Sequence, residues 1–343
     1  MLKSYLSYIG LAAVLFSATL QSCKKSDGIN NNQVIETPYS LIYGDSSGAV
    51  YNTNDGVNVK PLLRTPDGFA ARAICASGNN ILMAKIHLFV STDNGANFNA
   101  TYDTLNERGI IASCIYSSAD QNRVYIASRM GRMGVFYSDT NGKQNTWVED
   151  SYDVNITGTV SITSFTELQN NTMIGYDAIN NRLFEKQNKA DNWHEVTVNT
   201  ALPTGGTFSL SHVANTIVAV DYTGNNGAYY TTLGGGGVSW SGYIGLPHTR
   251  LLSVAAPFDQ TLLIGTASGG VYRLNSGGVF TPANNGLATA TSVNGITAKE
   301  NIYVDVTAPQ QYVYLATNNG LYVSKDLGQN WALSQPGNIV AIY

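Results

Sequence analysis

Two aspartates, Asp177 and Asp221, end strand-like runs at matching places in MIGYDAINN and IVAVDYTGNN. A pair of carboxylates on neighbouring loops is the equipment of a glycoside hydrolase, in which one acid protonates the leaving oxygen and the other attacks or activates water. The plainer reading of the same two residues is a pair of solvated turn residues. Other loop side chains able to grip a polar ligand are Arg129, Arg132, Tyr222, His248 and Arg250. Guanidinium groups hold carboxylates and phosphates in a fork, and tyrosine offers an amphipathic ring. Each alone also reads as a solvated loop residue, so only convergence on one face would make them a site.

Other chemistries find less support. The four histidines, His87, His194, His212 and His248, show no metal-ligand spacing, and no metal or cofactor is expected. LGGGGV, Leu233 to Val238, lacks the lysine and following helix of a phosphate loop and reads as a flexible hairpin turn. No G-x-S-x-G elbow precedes a helix, so a serine hydrolase is not indicated.

The elements that must carry these residues follow from composition. Only 12% of the 343 residues are charged, with 34 Gly, 21 Tyr and 9 Pro, and no long segment beyond the N-terminus has apolar residues at helical spacing. That is the profile of many short strands joined by tight turns. The formal net charge is −4, which gives no footprint for nucleic acid.

The N-terminus carries Lys3, an apolar stretch from Tyr5 to Leu20, then small residues, the pattern of a secretory signal slightly short for a spanning helix. Leu20-Gln21-Ser22-Cys23 resembles a bacterial lipobox, although Gln21 departs from the commoner small residue. That resemblance implies cleavage before Cys23 and its lipidation, leaving residues 23–37 as a polar tether between a membrane and a domain spanning 38–343. Removing residues 1–22 takes Lys3 with it, leaving 18 basic residues against 23 acidic, a net −5. Cys75 and Cys114 lie in apolar runs; two buried thiols or, in an exported protein, a disulfide both fit.

Self-similarity sets the architecture. A strand, a polar turn and a second strand recur from Leu41, Ile81, Val124, Met173, Ile217, Leu262 and Val313, at steps of 40, 43, 49, 44, 45 and 51 residues. Most of these hairpins are preceded by another strand-like run and followed by a short fourth strand. Seven such units predict an all-β, seven-bladed propeller of four-stranded blades. The first unit lacks a preceding run while the chain ends in NIVAIY, Asn338 to Tyr343, so the last strand is expected to complete blade 1 and close the ring. The 51-residue step places an insertion within Asn284 to Gln311.

One motif sits in register with this count. SKDLGQNW supplies Ser324, Asp326, Gly328 and Trp331; STDNGANF supplies Ser91, Asp93, Gly95 and Phe98; SDTNGKQNTW supplies Ser138, Asp139, Gly142 and Trp147 at stretched spacing. Traces remain at Lys189 to Trp193, Gly234 to Trp240 and Asn52 to Gly56. Ser-x-Asp-x-Gly-x-x-Trp resembles the Asp-box, or BNR, repeat of sialidase-like, sortilin-like and YCF48-like propellers. Turn chemistry alone gives it a role as a hairpin staple: the carboxylate accepts turn amides, the Gly takes φ > 0 and the aromatic buries its ring between units. The motif falls between third and fourth strands, on the face opposite the usual ligand mouth, as the resemblance also implies. Sialidase chemistry fits poorly, because nine arginines serve the whole chain, no Arg-Ile-Pro string precedes the first box, and sialidase propellers have six blades.

The expected function is binding of a glycan or a protein through the upper-face loops of a monomeric, lipid-anchored envelope protein, without catalysis and without nucleic acid. A carbohydrate-active enzyme is the alternative.

Overall fold

The computed structural model describes residues 41–343 except 55, 65–67, 86, 102–110, 121, 129–133, 235, 258–260 and 302–309. The expected signal, tether and Cys23 lie outside these residues, as do Arg129 and Arg132. Seven antiparallel four-stranded sheets form a propeller, and no helix occurs among the described residues. Blade 2 is Ala73–Ser77, Asn80–Ala84, Leu88–Ser91 and Asn99–Thr101, and blade 3 is Ile111–Tyr116, Val124–Ser128, Gly134–Ser138 and Val148–Glu149. Blade 4 is Ile162–Glu167, Met173–Asp177, Arg182–Lys186 and His194–Val196, and blade 5 is Phe208–Val213, Thr216–Asp221, Ala228–Thr232 and Ser241–Gly242. Blade 6 is Leu251–Ala255, Leu263–Thr266, Val271–Leu274 and Phe280–Pro282, and blade 7 is Val293–Asn301, Gln310–Thr317, Gly320–Ser324 and Ala332–Pro336.

Blade 1 closes the ring as expected. Leu41–Asp45, Ala49–Thr53 and Lys60–Arg64 are its outer three strands, and Ile339–Ile342 pairs antiparallel with the first of them to supply the inner one. Tyr343 N donates to Ile42 O at 2.8 Å and Ile42 N returns a bond to Tyr343 O at 3.2 Å. The extra length of the last repeat lies in the first hairpin of blade 7, whose strands Val293–Asn301 and Gln310–Thr317 run to nine and eight residues.

Second strands are buried on both faces, Val124–Ser128 and Met173–Asp177 at every residue, because each is sandwiched between two neighbouring blades. Their β-branched, aromatic and small side chains form seven apolar clusters, one per seam between blades. Six seams receive an aromatic from the start of a fourth strand: Phe98, Trp147, Trp193, Trp240, Phe280 and Trp331. At the seam of blades 7 and 1 that place is held by Val59, next to Lys60–Arg64.

Connections from a fourth strand to the next blade differ in the same way. Six of them, 65–72, 102–110, 150–161, 197–207, 243–250 and 283–292, run eight to twelve residues, whereas blade 7 joins blade 1 through Gly337 and Asn338 alone. Four long connections also stitch outward onto the next blade in parallel pairs: Tyr152 with Trp193, Val198–Thr200 with Val238–Ser239, Ile244 with Val279, and Asn285 with Asn330. Cys75 and Cys114 are free thiols on the inner strands of blades 2 and 3. Burial, then a hydrogen bond with Cys114, raises the pKa of Cys75 well above its ordinary value.

Candidate functional site

The face where chains enter the inner strands, here the upper face, carries the turns between second and third strands. Four described turns rest on a polar residue closing the second strand, Asp177, Asp221, Thr266 and Thr317, Asp45 does the same in blade 1, and Lys85 follows the second strand of blade 2. Thr266 and Thr317 show the device in simple form. Thr266 Oγ1 accepts Gly269 N at 2.8 Å and donates to Gly270 O at 2.9 Å, and Thr317 Oγ1 accepts Gly320 N at 3.0 Å. Lys85 is buried and its Nζ donates to Gly48 O at 2.7 Å, tying the turn of blade 1 to blade 2.

Asp177 and Asp221 occupy the same places and do the same work. Both are fully buried, so the expected solvated pair is corrected to two internal turn acceptors. Asp177 accepts Ile179 N at 3.1 Å, Asn180 N at 3.2 Å, Asn180 Nδ2 at 2.8 Å and Arg182 NH2 at 3.2 Å. Asp221 accepts six bonds, from Thr207 N, Thr223 N and Oγ1, Asn225 N, and Asn226 N and Nδ2, at 2.6–3.3 Å. Burial pushes the Asp221 carboxyl up, and the bonds from Thr223, Asn226 and Asn225 outweigh it, leaving its pKa below the usual range. A carboxylate so occupied has no lone pair aimed at a ligand.

The remaining candidates divide. Tyr222 and Arg250 meet on the upper face, with the guanidinium carbon 5.1 Å from the ring centroid. His248 lies in the same connection as Arg250 and is exposed. Arg129 and Arg132 fall outside the described residues. Among the described residues no cluster of three His, Cys, Asp or Glu is placed to hold a metal ion.

A cavity among the described residues lies at the closing seam. A groove of about 410 Å³ opens between blades 7 and 1, lined by Tyr43, Asp45, Ser46, Ser47, Tyr51, Val59, Pro61 and Ile339 from blade 1 and by Gln335 to Asn338 from blade 7 and its link. It is there because the two-residue link cannot cover the seam and Val59 does not fill it. Tyr43 and Tyr51 stack at 5.3 Å between centroids and 25° between planes, Tyr43 buried beneath and Tyr51 half-buried. Burial first, then the nearby Tyr51 and Asp45, raise the pKa of Tyr43, so its hydroxyl stays protonated at neutral pH. Asp45 Oδ1 accepts Ser47 N at 2.9 Å, Ser47 Oγ at 2.7 Å and Ala49 N at 3.0 Å, while Oδ2 accepts Tyr51 OH at 3.3 Å. No sequence motif singles out Tyr43, Tyr51, Pro61 or Gln335. The signals that mark them are the short link before NIVAIY and the valine where other repeats have an aromatic.

On the lower face, Ser324 Oγ donates to Asp326 Oδ1 at 2.7 Å and accepts Gly328 N at 2.8 Å, and Asp326 accepts Asn330 N at 2.9 Å and Asn330 Nδ2 at 2.6 Å. Ser91, Asp93, Gly95 and Asn97 repeat this arrangement. A Cβ on Gly328, at φ +84°, would lie 2.9 Å from Leu263 of the preceding blade, which is why the position takes glycine. Trp331 then donates Nε1 to Ala283 O at 2.8 Å across the seam. In blade 3, Ser138 Oγ accepts Thr140 N at 3.2 Å and Gly142 N at 3.0 Å, so Thr140 holds the acid position. Asp139 is thereby corrected from turn staple to partner of Arg123, whose NH2 donates to Oδ2 at 2.7 Å. Blade 4 keeps the spacing with Lys186, Asn188, Ala190 and Trp193, and replaces the serine network with a buried ion pair, Lys186 Nζ to Asp150 Oδ1 at 2.6 Å. Trp193 Nε1 donates to the other oxygen at 2.9 Å.

Fold and site together define a seven-bladed β-propeller with an upper groove at its closing seam. No protein-family profile and no curated protein matches the chain. Among solved structures it is similar to YCF48 from Cyanidioschyzon merolae, at 14% identity over 78% of this chain and 87% of that one, TM-score 0.55. It is also similar to a catalytically inactive virginiamycin B lyase from Staphylococcus aureus with quinupristin, at 12% identity over 81% and 90%, TM-score 0.59. A third is PorZ, a surface component of the type-IX secretion system of Porphyromonas gingivalis, at 17% identity over 88% of this chain and 37% of that one, TM-score 0.55. At these identities the likeness is one of fold.

Proposed function

We propose that this chain is a non-catalytic binding protein of the bacterial cell envelope, related to the BNR and YCF48-like propellers, whose upper face engages a glycan or protein ligand. Lipidation of Cys23 holds it to a membrane, most simply the outer one, through the tether 23–37. The observation that supports binding over hydrolysis is the occupancy of the acids. Asp177 and Asp221, the two carboxylates whose matching places in successive blades suggested a glycosidase, are buried and held by their own turns, and the groove holds a single acid, Asp45. Hydrolysis by the usual route needs two acids facing one cleft. A structure of YCF48 bound to D1 peptide, similar to this chain at TM-score 0.52, is an example of a propeller of this shape used for binding.

A glycan-array screen of the soluble domain, paired with capture of envelope proteins and a reducing-sugar release assay on any glycan bound, tests the reading. Retention of a ligand without sugar release is expected. Turnover of a bound glycan overturns it in favour of a carbohydrate-active enzyme. Mass spectrometry of the mature N-terminus tests the anchor, with diacylglyceryl-modified Cys23 expected and an unmodified N-terminus beyond it overturning it.

A further inference from the structure

We propose that the groove between blades 7 and 1 is the binding site for a neutral pyranose sugar, which rests on the reading of the chain as a non-catalytic binding propeller. Shape is the first argument. About 410 Å³ is the size of clefts that take small ligands, and this one is built into the ring closure, since the link of Gly337 and Asn338 is anchored by Ser46 N to Asn338 O at 2.9 Å. It needs no rearrangement to be open.

The lining supplies the second argument. Tyr51 stands half-buried against the buried ring of Tyr43, so the pair offers a rigid aromatic platform whose ordering is already complete in the free protein. The apolar C–H face of a pyranose packs on such a ring at little entropic cost. Pro61 and Pro336 add stiff apolar walls.

Charge and hydrogen bonding choose among polar ligands. Asp45 Oδ1 is consumed by its turn, whereas Oδ2 carries only the 3.3 Å bond from Tyr51 OH and retains acceptor capacity for a sugar hydroxyl. Neutral hydroxyl and amide groups of Ser46, Asn338 and Gln335 stand around it. No Lys or Arg lines the groove, and Arg64, which acts on Tyr51 electrostatically, lies outside the lining. An acidic sugar or a phosphate would therefore place its charge beside an aspartate with no clamp to hold it.

Titration calorimetry on the soluble domain with glucose, galactose, mannose, N-acetylglucosamine and their β-linked disaccharides, and with sialyllactose as the charged probe, tests this. At least one neutral sugar is expected to bind, with sialyllactose weaker than its uncharged parent lactose. Tyr51→Ala should weaken that binding by roughly tenfold or more. Ser46→Trp, at an exposed turn position where folding is undisturbed, should fill the groove and weaken it similarly. Neutral-sugar binding unchanged in Ser46→Trp, or sialyllactose binding as tightly as lactose, overturns the proposal while leaving a binding propeller. Failure of every neutral sugar alongside capture of a specific envelope protein overturns it in the same way. Release of reducing sugar overturns the non-catalytic reading itself.

Discussion

The seam between blades 7 and 1 and the seam between blades 3 and 4 are built from the same repeat and solved oppositely. At the latter, Trp193 is wholly buried, the connection 150–161 overlies the junction, and Asp150 binds Lys186 and Trp193 together. At the former, Val59 replaces the aromatic and the link shrinks to two residues. Blade 7 meets blade 1 through a cluster with Tyr43, Tyr314 and Leu321 and through Gln335 Nε2, which donates to Val57 O at 2.8 Å. The two ends of the chain are joined within blade 1 by Ile339–Ile342 pairing with Leu41–Asp45. One seam is thus filled by a large ring under a long connection, and the other, where the chain's ends meet in blade 1, is packed by smaller side chains under a short link. The shorter link and smaller side chain leave room, and the groove occupies that room.

Breaking the shared sheet should have the largest effect. Deleting Asn338 to Tyr343 removes the inner strand of blade 1 and exposes an unpaired edge along Leu41–Asp45, so the cooperative thermal transition of the whole domain should be lost rather than shifted. A truncated domain that melts as the full one does would show that filling alone secures the ring.

Emptying a filled seam ranks next. Trp193→Ala removes a buried ring and a bond to a buried carboxylate, at a cost of about 3–5 kcal/mol in denaturant unfolding. Val59→Ala, at the half-filled closing seam, should cost under about 1.5 kcal/mol. Equal costs would remove the distinction between the two seams.

The upper turns sharpen the comparison further. Asp221→Ala strips an acceptor from turn amides around Thr223, Asn225 and Asn226 and should cost about 1–3 kcal/mol, with ligand affinity unchanged. Lost affinity with intact stability would return Asp221 to the ligand site.

The ring was legible because each repeat carries its own hairpin and the missing strand of blade 1 is matched by an unpartnered NIVAIY at the end of the chain. The box motif was legible as turn chemistry, since Ser, Asp and Gly at that spacing have little else to do. Asp177 and Asp221 were misread for a physical reason. An aspartate closing a strand before a polar turn looks the same in sequence whether it faces solvent or its own amides, and only burial separates the two. Asp139 misled by one position, since the Asp–Thr order of blade 3 hides that Thr140 takes the staple role. The groove was hidden for the opposite reason: it is created by what is small and short, Val59 and the Gly337–Asn338 link, and a deficit of side chain becomes visible only once seven seams can be laid beside one another.

The smallest expected effect comes from acid and reads both faces at once. Asp93 is held at about 2, first by the backbone amide of Asn97, then by its side-chain amide and the Ser91 hydroxyl. Asp326, Asp139 and Asp221 are also held below their ordinary value of 3.8. A depressed folded value means that the stabilisation is complete above the unfolded value and is lost as pH falls through the folded one. His212, pushed below 6.5 by burial, adds a separate loss that begins as the unfolded chain takes up its proton. Urea midpoints should therefore decline gently below pH 6.5 and more steeply from about pH 4 towards pH 2. In Asp93→Asn the steeper part should flatten in part, because an amide there cannot lose a charge while Asp326, Asp139 and Asp221 keep their share, and the gentle part driven by His212 stays. A steep acid limb unchanged by that substitution would assign it to Asp326, Asp139 or the buried upper-face Asp221, and the Asp326→Asn, Asp139→Asn and Asp221→Asn variants would then tell which of them carries it.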